Sequence, residues 1–324
     1  MMARKMPALV MVLGLLCAWA PFAHAQGWPD KPVRVVVANA AGSLSDTMGR
    51  LLFSKVSEEL GQSFLIDNRP GAGGTVGTEQ VAKSPADGYT LLIATNAMMA
   101  ANPFLYSKLG YDPLRDFASV TMLAKISEVL IINGALGVRT MDEFVRLVRA
   151  RPGQINYASG GNGHPTHLMM ELFVSKAGLN MVHIPYKGTP PAVQALVTGE
   201  VGAFAIGAGL AQPHVQSGKV IALATIGPRT EGMLPGVQPL SSFFPDSEMV
   251  NWQALFGPRA VPRPVVDRLN GALARILALP EIRKRLAEIG LTAISSSPAE
   301  LEQTIRTDQA LNREIIKRIG LKLD

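Results

Sequence analysis

Cysteine is almost absent from this chain. The single one, Cys17, lies in an apolar N-terminal stretch, so the folded part has no cysteine to pair. Disulfide scaffolds, cysteine-ligated zinc and thiol catalysis are all excluded on that count. Long hydrophobic runs are also missing beyond the first residues. The apolar stretch from Ala8 to Ala20 is itself short against the roughly 20 residues a membrane span needs. Charge of one sign is scarce: 31 basic against 25 acidic residues give +6. No basic run is interleaved with aromatics, so the sequence offers nothing for nucleic-acid binding. Catalytic signatures are missing too. There is no H-E-x-x-H, no G-x-S-x-G and no Walker lysine, and Gly71-Ala72-Gly73-Gly74-Thr75-Val76-Gly77 has Val76 where a dinucleotide fingerprint needs its third glycine. That segment reads as a tight strand-to-helix turn.

What is present begins with export. Arg4 and Lys5 precede the apolar stretch, and Ala23-His24-Ala25 has the small-x-small form of a cleavage site. Residues 1–25 therefore read as a cleaved secretory signal, with Gln26 the first mature residue. Leu16 before Cys17 stands where a lipidation signal wants a small residue, which argues against a lipoprotein. Loss of Arg4 and Lys5 takes the charge from +6 to +4, and a mildly positive surface favours small anions arriving by diffusion. A disulfide-free exported chain of about 300 residues, large enough to rely on its own core, suits a bacterial periplasm.

Beyond the signal, short apolar runs alternate with helical patterns. Strands are expected at 33–38, 64–66, 89–94, 129–132, 155–158, 182–184, 203–206 and 220–224. Helices are expected over 48–60, up to Val81, and over 141–150, 165–176, 192–197, 264–279, 282–289 and 297–318. The last opens on the capping box Ser297-Pro298-Ala299-Glu300. Repeated βα units predict mostly parallel sheets covered by helices, in two α/β lobes joined by more than one strand crossing. The expected division is 26–125 for the first lobe, 126–245 for the second, and 246–324 returning to the first.

Two glycine-bearing loops then stand out, Ala40-Ala41-Gly42-Ser43 and Ser159-Gly160-Gly161-Asn162-Gly163, each between a strand and a helix. The unbonded N–H groups of a first helical turn attract an anion, worth about 0.3–1 kcal/mol per helix end. The same loops also serve as ordinary connections. His164, His167 and Glu171 have spacing compatible with metal ligands on one helix face, and equally with structural or capping roles. Without a metalloprotease motif the structural reading is adopted, and no metal or cofactor is expected. Asp46 looks out of place beside an anion. It either binds a ligand amine, holds its loop through backbone N–H groups, or caps the helix.

Ordered blocks along the mature chain resemble the Bug family, the substrate-binding proteins of tripartite tricarboxylate transporters. They are Trp28-Pro29-Asp30-Lys31-Pro32-Val33-Arg34, Asn68-Arg69-Pro70-Gly71-Ala72-Gly73-Gly74, Asp87-Gly88-Tyr89-Thr90-Leu91-Leu92, Tyr111-Asp112-Pro113, Tyr157-Ala158-Ser159, Glu171-Leu172-Phe173 and His183-Ile184-Pro185-Tyr186-Lys187-Gly188. The resemblance implies a periplasmic-binding-protein-like Venus flytrap (type II-like). It implies a monomeric, non-enzymatic periplasmic protein that delivers an organic carboxylate to membrane transporter subunits. It implies ligand contacts at Ala41, Gly42, Ser43, Asp46, Thr95, Asn96, Ser159, Gly161, Asn162, His164, Thr166, His167 and Tyr186, with Lys187 nearby. Two other readings stay open: a ligand-binding accessory to a periplasmic signalling receptor, and a periplasmic hydrolase built on Ser159, His164 and His167. The chain departs from the family pattern at Ala40 to Asp46, at His164, and at Ile206, where an aspartate is frequent. An acid lost and apolar surface gained suggest an aromatic or branched monocarboxylate.

Overall fold

The computed structural model describes residues 27–227 and 233–323; the expected signal and cleavage site lie outside the described residues. The first strand, β1 (Val33–Val37), is a β-branched run buried at nearly every position, as a central parallel strand requires. It leads into α1 (Leu44–Leu60), which turns Met48, Leu52, Phe53 and Val56 onto the sheet and stops at Gly61, whose φ of 71° only glycine adopts freely. β2 (Phe64–Asn68), α2 (Thr75–Ala82) and β3 (Thr90–Thr95) follow. A π turn (Ala97–Ala101), α3 (Asn102–Leu105) and β4 (Phe117–Ile126) complete the first passage through lobe 1.

The second lobe contains β5 (Glu128–Asn133), α4 (Met141–Ala150), β6 (Asn156–Ser159), α5 (Pro165–Lys176), β7 (Val182–Pro185), α6 (Thr189–Thr198), β8 (Ala203–Gly207), α7 (Ala208–Gln216) and β9 (Val220–Ile226). The chain returns through β10 (Trp252–Pro258), α8 (Arg263–Ala278), α9 (Pro280–Glu288), β11 (Leu291–Ala293) and α10 (Pro298–Ile319). The capping box at α10 forms as expected: the Glu300 amide donates to Ser297 Oγ at 3.2 Å and the Ser297 amide to Glu300 Oε2 at 2.7 Å.

The sheets are mixed, and this corrects the expectation of mostly parallel pairing. Lobe 1 orders its strands β11-β4-β10-β3-β1-β2, and lobe 2 orders them β7-β6-β8-β5-β9. β10 runs antiparallel to both β3 and β4, and β5 runs antiparallel to both β8 and β9. The cause is the double crossing. β4 leaves lobe 1 at its C-terminal end, so β5 must begin at the cleft; β9 leaves lobe 2 likewise, so β10 begins there. These two entering strands oppose neighbours whose C-terminal ends face the same cleft. Sequence periodicity passed over β4 and β10, because a strand buried on both faces shows no alternation, and over β11, which is only three residues, and α7, which carries Pro213 inside it.

Each sheet carries helices on both faces. In lobe 1, α1, α8 and α9 cover one face, and α2 with the start of α10 covers the other. In lobe 2, residues of α4 and α5 form one core with β5, while α6 and α7 cover the opposite face. α10 belongs to both lobes. Leu301 and Ile305 pack in lobe 1, whereas Ile315 and Ile316 enter the lobe 2 core. Its 22 residues reach about 33 Å at 1.5 Å per residue, enough to span both. Burial of each isoleucine contributes about 1.5–3 kcal/mol. Met249 also sits in the lobe 2 core, so the segment 246–324 is shared between the lobes. No described helix is long and apolar enough to cross a membrane.

Candidate functional site

Between the lobes lies a cleft of about 680 Å³, at the C-terminal ends of β1, β3, β6 and β8. A more open groove of about 540 Å³ between residues 103–115 and α10 gathers no strand ends of this kind. Of the residues expected at the site, Ser43, Thr95, Asn96, Gly161, Asn162, His164 and Thr166 line the cleft; Ala41, Gly42, Asp46, Ser159, His167 and Tyr186 do not. Among the described residues no lysine or arginine lines it.

The first loop is built for its position. Gly42 takes φ 78°, and Ser43 caps α1 by accepting from the Asp46 amide at 3.3 Å. Asp46 turns back from the cleft. Its carboxylate accepts from the Gly42 amide at 2.9 Å and pairs with Arg50 at 2.9 Å. Burial works to raise the Asp46 pKa, but the Arg50 and Gly42 hydrogen bonds outweigh it and hold the carboxyl below its usual value. Asp46 thus holds the loop, and Ser43 is the cap. The amides of Leu44 and Ser45 are left at the cleft with no intrahelical acceptor.

The second loop differs. The amides around α5 are already engaged. His164 caps the helix, its Nδ1 accepting from the Thr166 amide at 3.3 Å, and Pro165 has no N–H. The Gly160 amide donates to Thr166 Oγ1 at 2.9 Å and the Gly163 amide to His167 Nδ1 at 3.2 Å. The α5 terminus therefore offers little to an anion. In lobe 2 the α7 start has no side-chain cap and its Gly207 and Leu210 line the cleft, although its first amide, that of Ala208, donates to Ser127 O at 2.8 Å. Thr189, at the start of α6, adds a hydroxyl.

Behind the second loop is a buried polar stack. Ser159 Oγ and His183 Nε2 are 2.6 Å apart, and the His183 ring stacks on His167 with centroids 3.8 Å apart. His167 lies 3.7 Å from Glu171, whose carboxylate also accepts from the Tyr157 hydroxyl. Burial, with His167 nearby, lowers the pKa of both His164 and His183 to about 4, so both are neutral at pH 7. Ser159 is fully buried and pairs with His183, while His164 faces Thr166. The trio Ser159, His164 and His167 is thus not assembled as a nucleophile and its bases. Tyr186 points elsewhere, its hydroxyl donating to Glu200 Oε1 at 2.7 Å, and Lys187 is exposed. Among the described residues no group of three His, Cys, Asp or Glu stands close enough to hold a metal.

The floor of the cleft is made by residues that sequence reading missed. Glu128 opens β5, and Asn251, Trp252 and Gln253 lead into β10. Asn251 Nδ2 donates to Glu128 Oε1 at 2.8 Å. Glu128 Oε2, Asn251 Oδ1, Gln253 Oε1 and, on the lobe 1 wall, Asn39 Oδ1 are buried with no protein partner. Burial pushes the Glu128 pKa up to about 8, against the opposing hydrogen bond from Asn251. The cleft is therefore not short of an acid, although Ile206 lines it. One signal was available: Glu128 is a lone charge abutting the apolar run Val129-Leu130-Ile131-Ile132.

The chain matches the family described as the tripartite tricarboxylate transporter family receptor over residues 48–321. It is 30% identical over 324 residues to the protein BugT of Bordetella pertussis, covering 98% of this chain and 99% of that one. A solved structure of Rpa4515 from R. palustris with adipate superposes with a TM-score of 0.77 at 30% identity, covering 91% of this chain and all of that one. MatC from Rhodopseudomonas palustris with bound malate gives 0.73 at 29% identity, covering 89% of this chain and all of that one.

Proposed function

This chain belongs to the tripartite tricarboxylate transporter receptor family, whose members are solute-binding proteins, and on that premise we propose that it captures a small organic carboxylate in the periplasm and delivers it to a transporter of that type. The observation that carries the proposal is the start of α1: the Leu44 and Ser45 amides lie at a cleft whose described residues include no lysine or arginine. A carboxylate there accepts backbone hydrogen bonds and meets the positive end of a 17-residue helix. The α7 start lies across the cleft, so closure of the lobes brings the amides that follow Ala208 in its first turn toward the same ligand. The export pattern at the N-terminus supports a periplasmic site of action. Adipate and malate in related structures support the ligand class.

The test is a thermal-shift panel of aliphatic, amino and aromatic carboxylates on the mature protein. A true ligand at 100 times its Kd stabilises by about 2.7 kcal/mol. A flat response across all three classes overturns the carboxylate assignment. Recovery of the ligand unchanged after long incubation separates binding from turnover.

A further inference from the structure

We propose that Glu128, with Asn251 and Gln253, forms a subsite for an ammonium group, so that the captured carboxylate also carries an amine. The inference rests on the carboxylate reading above and adds to it the second half of the ligand.

The three residues stand where β5 and β10 enter their sheets, and all three line the cleft. Each is buried, with relative exposures of 4% for Glu128, 5% for Asn251 and 1% for Gln253. Each presents an oxygen that no protein group donates to: Glu128 Oε2, Asn251 Oδ1 and Gln253 Oε1. Buried polar atoms in native proteins are almost always paired, so three orphans on one cleft floor point to a ligand that supplies the donors. An ammonium group has three N–H donors and no acceptor, which matches the set in number and in sign. A hydroxyl would supply one donor for the three oxygens, and a carboxylate would supply none, meeting at most the single proton of Glu128.

Charge gives the same answer. The start of α1 is positive, and among the described residues Glu128 is the only carboxylic acid in the lining and no lysine or arginine stands between them. The cleft is therefore bipolar, as a zwitterion is. Without a ligand Glu128 holds its proton near neutrality because burial raises its pKa to about 8. An incoming ammonium stabilises the carboxylate instead, so binding releases that proton.

Among the described residues, one other group near the cleft titrates close to this window. It is Asp308 of α10, which accepts from Trp252 Nε1 and whose pKa burial raises to about 6 against Trp252 and Lys125 of β4; it is unchanged in Glu128→Gln, so that variant separates the two. β8, β9, β10 and α6 carry no titratable side chain. α7 carries His214 in its last turn, outside the cleft lining. α5 brings His164 to the cleft, with His167 and Glu171 behind it, and the low His164 pKa of about 4 keeps that ring neutral above pH 5. The Tyr106 phenol, also in the lining, has its pKa raised by burial and stays protonated.

The test uses matched acids that differ only in the amine: aspartate and succinate, glutamate and glutarate, leucine and 4-methylpentanoate, phenylalanine and 3-phenylpropanoate. Calorimetric titration of the mature protein at pH 8 is expected to favour the amine in the best pair by tenfold or more. Between pH 8 and 6 the affinity for that amine is expected to fall about tenfold per unit, as release of one proton requires. Glu128→Gln is expected to shrink the preference within the pair below twofold and to remove the pH slope. The pH profile needs no variant, so the inference stays testable even if Glu128→Gln folds poorly. Equal or tighter binding of the amine-free acids, or a preference unchanged in Glu128→Gln, overturns the ammonium subsite and leaves carboxylate capture standing. No binding by any acid of either kind overturns both.

Discussion

The wall of the cleft at α1 and its floor at the strand crossings offer opposite chemistry. At the wall, the Leu44 and Ser45 amides point hydrogen atoms at the cleft because a helix starts there. At the floor, Glu128, Asn251 and Gln253 point oxygens at it because strands start there and side chains fill the gap between lobes. The wall is backbone chemistry, tolerant of sequence so long as the turn and cap are kept. The floor is side-chain chemistry, and one substitution rewrites it. General affinity for acids belongs to the first, and choice among acids to the second.

The largest expected effect separates the two on stability. Glu128 keeps a proton that the unfolded chain loses near 4.5. At this residue the native state binds more protons than the unfolded one between about pH 4.5 and 8, so the Glu128 contribution to stability falls as pH rises through that window and is constant above it. Glu128→Gln removes that contribution, while His164, His183 and Asp308 titrate alike in parent and variant, so the difference between the two reports Glu128. The variant without ligand is expected to be more stable than the parent by about 2–3 kcal/mol at pH 8 and no more stable at pH 4, as read by urea denaturation. A residue kept for the fold would lose stability at both. Next in size is Asn251→Leu, which strips Glu128 Oε1 of its one donor and is expected to cost about 1–3 kcal/mol.

The wall is expected to respond more mildly. Ser43→Ala and His164→Ala each remove a helix cap, at about 1 kcal/mol, and His164→Asn restores a capping oxygen and most of that loss. Their effect on the preference between matched acids is expected to be smaller than that of Glu128→Gln. Asp46→Asn is expected to cost least, below about 1 kcal/mol, because Arg50 is more than half exposed and its pairing is screened. Its sign with pH is opposite to that of Glu128. The lowered Asp46 pKa gives stability that is present above the usual carboxylate range and lost as pH falls through the lowered value. A reversed ranking in denaturation midpoints would break the division between wall and floor.

The same division marks what the sequence disclosed. The wall was legible: βα alternation, Gly42 and Ser43 before an apolar helical pattern, and glycines at 160, 161 and 163 locate the loops without any structure. The engagement of the α5 amides was not, since it depends on His164, Thr166 and His167 folding back onto the loop that precedes them. The floor was invisible for another reason. Glu128 and Asn251 are 123 residues apart in the chain and meet only because two strands cross between lobes. β4 and β10, the strands flanking those crossings in lobe 1, are largely buried and lack the alternation that reveals a strand. The antiparallel entry of β5 and β10 follows from the crossings, which is why the mixed pairing also escaped.

A crystal structure of the mature protein with its tightest-binding acid would test the account most directly. The carboxylate is expected within hydrogen-bonding distance of the Leu44 and Ser45 amides, with no lysine or arginine side chain on it. A carboxylate held by a basic side chain, or a ligand seated outside the cleft between the lobes, would contradict it.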